Sequence, residues 1–221
     1  MSTVAVVGFI GSGKDTIADY LVNFHNFRRE SFAGSLKDAI SNIFGWDRTL
    51  LEGRTKSARE WREIPDKWWA ERLNMPHLTP RWILQNWGTE VCRSGFHSDI
   101  WVASVENKLR QNTDDVVISD CRFPNEIAAI KKSGGTVIRV VRGPEPKWFN
   151  DAVIMNTSSR NTLEWITASN NFLSYDVHAS ESAWVGSKFD YVIDNNSTIE
   201  DLYKQIEIVI KNLAANRPVS T

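Results

Sequence analysis

Residues 4–16 read VAVVGFIGSGKDT: an apolar run stops at Gly8, and Gly13-Lys14 follows at a fixed distance. This Gly-x-x-x-x-Gly-Lys spacing constrains the fold more than any other feature, because it has meaning only between a buried strand and the start of a helix. In that setting successive backbone N–H groups and the positive end of the helix dipole converge on an anion. The neighbouring sequence supplies the setting. Residues 3–8 read as a buried strand. Residues 14–25 read as a helix with Ile17, Leu21 and Phe24 along one stripe. Gly11 and Gly13, flanking Ser12, let the backbone come close to a phosphate without a Cβ clash, and Lys14 brings an ammonium to the terminal phosphates. The plainer alternative is a glycine-rich turn with a surface lysine.

One position departs from the usual pattern. The residue after the lysine is ordinarily Ser or Thr, whose hydroxyl binds Mg²⁺; here it is Asp15, with Thr16 next. Mg²⁺ keeps several waters readily, so a site need not offer it a direct protein ligand. Asp15 and Thr16 are therefore expected to reach the metal through water.

Strand and helix patterns alternate along the rest of the chain. A short strand is expected at 27–33 and helices at 35–44, 57–72, 79–93 and 99–112, with Pro76 and Pro80 marking a break. DVVISD at 115–120 is a second strongly apolar strand, followed by a helix from Pro124 to Gly134-Gly135 and a strand at 136–142. Residues 143–180 show little periodicity and many Asn and Ser, and read mostly as loop or lid. A last strand at 189–194 precedes a helix at 199–215, entered through a Ser197-x-x-Glu200 capping box. This alternation predicts an α/β fold, a parallel sheet of about five strands with helices on both faces. One domain over 1–221 is expected, with a helical region at 45–112 and a lid or loop insertion at 143–180.

Composition excludes several classes. A chain of 221 residues can bury one good core without a disulfide or metal staple, and its two cysteines, Cys92 and Cys121, form no CxxC. No stretch has the length of a membrane span or the charge pattern of a secretory leader, so a reducing cytoplasm is expected. Lys plus Arg (26) nearly balances Asp plus Glu (27), which removes the broad positive field of a duplex-nucleic-acid binder. The ten tryptophans, among them Trp61, Trp68, Trp69, Trp82 and Trp87, read mainly as core, with one or two available to stack on a base. His25, His77 and His97 lack metal-ligand spacing and read as structural.

A second constellation lies at the end of VVISD. Asp120 falls at the carboxyl end of an expected parallel strand, the edge where ligands bind in open α/β sheets, and is placed to hold Mg²⁺ through water. Arg122 is suited to bidentate pairing with a phosphate; the plainer reading has both residues merely capping the next helix. Arg142 ends a strand at the same edge and is a donor-phosphate or lid candidate. Arg54, Lys56, Arg59 and Arg62 form a basic run in which Arg59 and Arg62 share a helical face. One of them can reach a phosphate, or the run is a solvated charged helix.

With both elements in view the chain resembles the phage deoxynucleoside monophosphate kinases. The shared stretches are GSGKDTIADYLV, FAGSLKDAI, RWILQNWGTEV, DIWV, SDCRFPNEIAAIKKSGGTVIRVVR, HASE and IDNNSTIEDL, in that order. Asp15 followed by Thr16 is also similar to the loop of adenylate-kinase-type enzymes. The resemblance implies a P-loop nucleoside monophosphate kinase fold and phosphorylation of a deoxynucleoside monophosphate by ATP with Mg²⁺. It makes the helical region acceptor-binding, with Lys37 and Arg81 holding the acceptor nucleotide; the spacing of the basic run adds Arg59 as a candidate. It puts Gln85, Gly88, Thr89 and Trp101 at the base and sugar, and Asp120, Arg122 and Glu126 in an Asp-x-Arg-x-x-x-Glu segment. Asn195 and Asn196 match a loop beside the donor adenine, and a phage-encoded member works in the host cytoplasm. His178 and Glu181 match in type without an assigned role. The chain is shorter than the family pattern before RWILQ and longer before HASE. A homodimer is left open.

A monophosphate acceptor carries its own anionic nucleophile, so transfer needs positioning and charge neutralisation by Lys14, Mg²⁺, Arg122 and Arg142, with no general base. Two alternatives stand beside this. A kinase of a small alcohol or a 5′-hydroxyl end would use Asp15 or Asp120 as base. An ATP-binding module without transfer would have no use for Lys37, Arg81 and Arg122 together.

Overall fold

A computed structural model describes residues 1–215. In chain order the elements are β1 (Thr3–Val7), α1 (Lys14–His25), β2 (Arg28–Glu30), α2 (Gly34–Phe44), α3 (Arg48–Glu52), α4 (Lys56–Trp61), α5 (Lys67–Arg72) and α6 (Pro80–Gln85). A π-helical segment (Asn86–Ser94), α7 (Ile100–Leu109), β3 (Val116–Ile118), α8 (Pro124–Lys132) and β4 (Thr136–Val141) follow. The chain continues with α9 (Phe149–Thr157), α10 (Leu163–Leu173), α11 (Ala179–Ser182), β5 (Tyr191–Asp194) and α12 (Ile199–Ala215). Two units divide them: a sheet unit of Met1–Glu30 with the chain from Asn112 onward, and a helical unit, Ser31–Gln111.

The sheet unit holds five parallel strands in the order β2-β3-β1-β4-β5, with Ala5 opposite both Ile118 and Val137. β1 is central and buried throughout, because a parallel sheet covered on both faces has no solvent side. Val4, Val6, Val117, Ile138, Val140 and Ile193 pack with Ile17 and Leu21 of α1 and with Leu202, Ile206 and Val209 of α12. The alternate residues Ala5, Val7, Val116, Ile118 and Val137 are buried too, as the two-residue period of a doubly covered sheet requires. β3 and β4 flank β1 on opposite sides, so the carboxyl end of β1 is where the strand order reverses. There an α/β sheet opens a crevice.

The helical unit is built from short helices that depend on their caps. Side chains of Asp47, Thr55, Asp66 and Thr79 accept backbone N–H groups at the starts of α3, α4, α5 and α6. Phe44 stacks on Trp46 with ring centroids 4.4 Å apart and meets Trp69 at 4.8 Å, and the Trp46 indole N–H donates to Asp66 Oδ2 at 2.7 Å. Trp46 and Trp101 are buried, Trp61, Trp69, Trp82 and Trp87 half-buried, and Trp68 exposed.

Several expectations are corrected. The helix expected at 57–72 is two, interrupted before Pro65, a residue that disfavours helix in its predecessor. The helix expected at 79–93 is α-helical only to Gln85 and then widens into the π-helical segment. Residues 143–180, expected to be mostly loop, hold α9 and α10 as a pair. Trp165 Nε1 on α10 donates to Met155 O on α9 at 3.1 Å, a tertiary contact that no local pattern shows. The cap of α12 lies one residue later than expected: Thr198 Oγ1 accepts from Asp201 N at 3.2 Å, and Asp201 Oδ2 takes the Ser197 and Thr198 hydroxyls. Phe24, expected on the inner stripe of α1, is 68% exposed; Ile17, Ala18 and Leu21 form that stripe. Both cysteines are free, and no helix among the described residues is long and apolar enough to cross a membrane.

Candidate active site

The loop after β1 is held by close approaches that exclude side chains. A Cβ on Gly8 would stand 2.6 Å from Val140 O and 2.7 Å from Ser12 Oγ. Gly13 caps α1 at φ 105°, and a Cβ there would stand 2.4 Å from Asn195 Nδ2. At Gly11 no atom of the described residues lies within 4 Å of that point, and its φ of 79° favours glycine. Ser12 is buried, and its hydroxyl has no hydrogen-bond partner among the described residues. Lys14 is the first residue of α1, and its ammonium donates to Phe9 O at 2.7 Å. Burial pushes the Lys14 pKa down to about 8, and Arg122 adds to this; Asp15, Glu181 and Asp120 pull the other way. Lys14 thus feels three carboxylates and one guanidinium at once.

Asp15 is tied in place. Its Oδ1 accepts from Ser119 Oγ at 2.9 Å and from Arg29 Nη1 at 3.0 Å, while Arg29 Nη2 reaches Asp19 at 2.8 Å. Burial raises the Asp15 pKa, but the Ser119 and Arg29 hydrogen bonds and the Arg29 and Lys14 charges outweigh it, so the net shift is downward. A carboxylate held this way is a poor base. Thr16 is half-buried, and its hydroxyl makes no hydrogen bond among the described residues.

The segment after β3 carries Asp120 and Arg122. Arg122 Nη1 donates to Glu181 Oε1 at 2.5 Å. Glu126, expected to touch substrate, is instead a buried anchor: its Oε2 accepts from Arg122 N at 2.6 Å and Phe123 N at 3.0 Å, fixing the turn into α8. Arg142, just past β4, is exposed and has no ionic or hydrogen-bond partner among the described residues. After β5, Asn195 Nδ2 donates to Ser12 O at 2.8 Å, and Asn196 Oδ1 accepts from Gly143 N at 2.7 Å. These two side chains, expected beside adenine, brace the phosphate loop and the end of β4.

In the helical unit each expected acceptor cation has a neighbour. Lys37 Nζ on α2 meets Glu52 Oε2 at 2.6 Å, and Glu52 also takes Arg48. Arg81 on α6 pairs with Glu63. Arg59 Nη1 donates to the carbonyls of Gly53 and Arg54 at 3.3 and 3.1 Å. Gly88 packs against α2, where a Cβ would meet Leu36 Cδ2 at 2.7 Å, and the buried Trp101 donates its indole N–H to Gly88 O at 2.9 Å. Gly88 and Trp101 thus form an interior packing pair. Gln85 and Thr89 are half-buried, and their side chains make no hydrogen bonds among the described residues.

No family model matches the chain. It is 30% identical over 225 residues to a protein of Acanthamoeba polyphaga mimivirus assigned as a deoxynucleotide monophosphate kinase, covering 96% of this chain and 97% of that one. The chain belongs to the deoxynucleotide monophosphate kinase family. It is also 29% identical to the deoxynucleoside-5′-monophosphate kinase of Escherichia phage T5, over 56% of this chain and 69% of the phage protein. With the deoxynucleotide monophosphate kinase of Enterobacteria phage T4 it shares 23% identity over 96% and 100%. Among solved structures, shikimate kinase from Aquifex aeolicus vf5 gives a TM-score of 0.43 at 15% identity, covering 97% of this chain and 99% of that one.

In this deoxynucleotide monophosphate kinase family member, the sheet unit brings Lys14, Asp15, Asp120 and Arg122 into one electrostatic group. Sequence reasoning missed Arg29, which lies in a three-residue strand with no motif around it. It also left Glu181 without a role, since its partner Arg122 lies 59 residues away in the chain.

Proposed function

We propose that the protein transfers the γ-phosphoryl group of ATP to a deoxynucleoside 5′-monophosphate, giving the diphosphate. The observation that carries this is the state of Asp15. Of the two carboxylates a hydroxyl kinase would use as base, Asp15 and Asp120, Asp15 is held by Ser119 and Arg29 as a weakly basic anion. A monophosphate acceptor needs no base, since its second pKa is about 6 and its oxygen is already anionic. The remaining work is alignment and charge neutralisation, for which Lys14 and the arginines are suited.

The phosphate loop suits ATP. The partnerless hydroxyl of buried Ser12, the N-terminus of α1 and the Lys14 ammonium are all donors, and that ammonium stays charged at neutral pH. No cluster of three His, Cys, Asp or Glu side chains able to hold a metal occurs among the described residues. Thr16, Asp15 and Asp120 are the residues that would hold a nucleotide-borne Mg²⁺, which would supply charge neutralisation at the transferring group. Lys37, Arg59 and Arg81 are read as cations for the acceptor phosphate, with Gln85 and Thr89 offering unengaged polar groups to its base and sugar. Arg122 and Arg142 are read as stabilising the transferring group.

The test is ADP release with ATP and Mg²⁺ over an acceptor panel of deoxynucleoside and ribonucleoside monophosphates, a small alcohol and 5′-hydroxyl DNA. Release that depends on a deoxynucleoside monophosphate, with the diphosphate recovered, is expected. Preference for either hydroxyl acceptor, or ATP binding without release, overturns the reading.

A further inference from the structure

The HASE stretch, residues 178–181, has no place in the chemistry above, yet its geometry is specific. His178 is the N-cap of α11: its Nδ1 accepts from Ser180 N at 3.2 Å and lies 2.8 Å from Ser180 Oγ, which then donates to it. That cap starts a helix of only four residues and puts Glu181 in its first turn, against Arg122. So short a helix cannot hold itself. It is pinned from behind. Asn156 Nδ2 on α9 donates to Ser182 O and Val185 O, both at 2.9 Å, and the buried Trp184 ring meets Phe9 of the phosphate loop at 4.8 Å. Phe9 is the residue whose carbonyl receives the Lys14 ammonium. Residues 178–185 therefore touch Arg122 through Glu181 and, through Trp184, the ring of Phe9, whose own backbone carbonyl holds Lys14.

We infer that Glu181 is a positioning residue for Arg122: it fixes the guanidinium beside Lys14 and offsets the repulsion between the two cations. The Arg122 backbone is already clamped by Glu126, so the side chain is what remains to be aimed. Arg122 has a long side chain with many rotamers, and the pair is only partly exposed, 36% and 24% for the two side chains. One carboxylate at 2.5 Å selects among those rotamers before any nucleotide arrives. The charges point the same way: Arg122 disfavours the Lys14 ammonium and Glu181 favours it. Glu181 needs no contact with substrate for this role.

For its kinetic readout the inference rests on the proposed transfer, so a second readout is independent of activity. The kinetic test is a double-mutant cycle of Glu181→Ala and Arg122→Ala, with Glu181→Gln as the volume-conserving variant. Glu181→Ala is expected to lower kcat about tenfold to a hundredfold, the scale of a small misplacement in an aligned site. Glu181→Gln should fall between it and wild type, and the ATP KM should change little. In the Arg122→Ala background the Glu181→Ala effect should vanish, because no guanidinium is left to aim. An undiminished effect in that background shows a separate structural role and overturns the inference. The independent readout is the Arg122 guanidinium resonance in arginine-labelled protein: ordered in wild type, mobile in Glu181→Ala. If wild type transfers no phosphate, the proposed function fails alone, and this resonance decides the positioning. An equally ordered guanidinium in Glu181→Ala overturns it.

Discussion

Lys14 of the sheet unit and the pair Lys37 and Arg81 of the helical unit are held in different ways. In the sheet unit Lys14 is the first residue of a helix, at the close of the loop that follows a strand buried on both sides, and its ammonium rests on a loop carbonyl. Backbone geometry puts it there. In the helical unit Lys37 and Arg81 are placed by carboxylates, Glu52 and Glu63, carried on or between helices of five or six residues. Backbone placement gives a fixed point for a transferring group, which must be aligned within fractions of an ångström. Carboxylate placement gives a cation that exchanges one anion for another, as suits a group that binds and releases a phosphate. In the sheet unit Arg122 is placed by the second device too, through Glu181.

This contrast predicts different kinetic signatures. Lys14→Ala should leave the fold intact and lower kcat by about 10²–10³, the loss seen when one preorganised transition-state donor is removed. Circular dichroism and steady-state kinetics check both halves. A folded mutant with near-normal turnover would break the assignment of Lys14 to the transferred phosphate. Arg81→Ala should act on binding: the acceptor KM should rise about tenfold to a hundredfold, as for loss of a hydrogen bond to a charged group, while the ATP KM stays within error. A mutant that weakens ATP alone would remove the distinction between the units.

Asp15→Asn sharpens the same contrast inside the sheet unit. Removing a general base costs about 10²–10⁴ in rate. If Asp15 is only a braced anion beside the metal's water shell, kcat should drop less than about tenfold, well below that range. A pH–rate profile for both proteins separates the cases. Loss of an acidic limb together with a drop of the larger size would restore Asp15 as a base, and with it a hydroxyl acceptor.

The legible parts of the molecule are those where one local rule suffices. The Gly8–Lys14 spacing, the apolar runs at β1, β3 and β4 and the glycine stop after α8 point directly to the five-stranded parallel sheet. Short helices were harder. α3 has five residues and a single buried one, Leu51, so it carries no periodic signal. α9 and α10 are helical because they pair, and their Asn and Ser residues favour turns when read alone. Within the site, residue types were readable and engagements were not. Nothing in the sequence distinguishes an asparagine that reads a base from one that braces Ser12 O, as Asn195 does. Nor does it show that Trp101 directs its N–H to Gly88.

The mildest test concerns what acid does to each unit. In the helical unit α3 depends on two carboxylates. Asp47 caps it through Thr49 and Leu50, and these hydrogen bonds, first the Thr49 hydroxyl, hold its pKa below the usual range. Glu52 closes it: burial raises its pKa, but Lys37 and Arg48 outweigh that and bring it down. In the sheet unit Asp201, bound by Ser197, Lys204 and Thr198, is lowered to about 2 at the start of α12. All three folded-state values lie below the unfolded ones. Each contribution is therefore present above the unfolded carboxylate range, about pH 4, and is lost as pH falls through the folded value. The consequences differ. α12 runs 17 residues and is held to the core by Leu202, Ile206 and Val209, so losing its cap frays only the first turn. α3 has no such reserve, since an isolated turn of helix is unstable once its cap and closing pair are gone. Hydrogen exchange at pH 5, 3 and 2, corrected for intrinsic rates, should show residues 48–53 losing protection severalfold as a block. In α12 the loss should stop after residue 202, with the helix interior unchanged. Equal protection of α3 and the interior of α12 at pH 2 would mean that the helical unit is not held by its carboxylates, and the contrast between the two units would fail at its structural base.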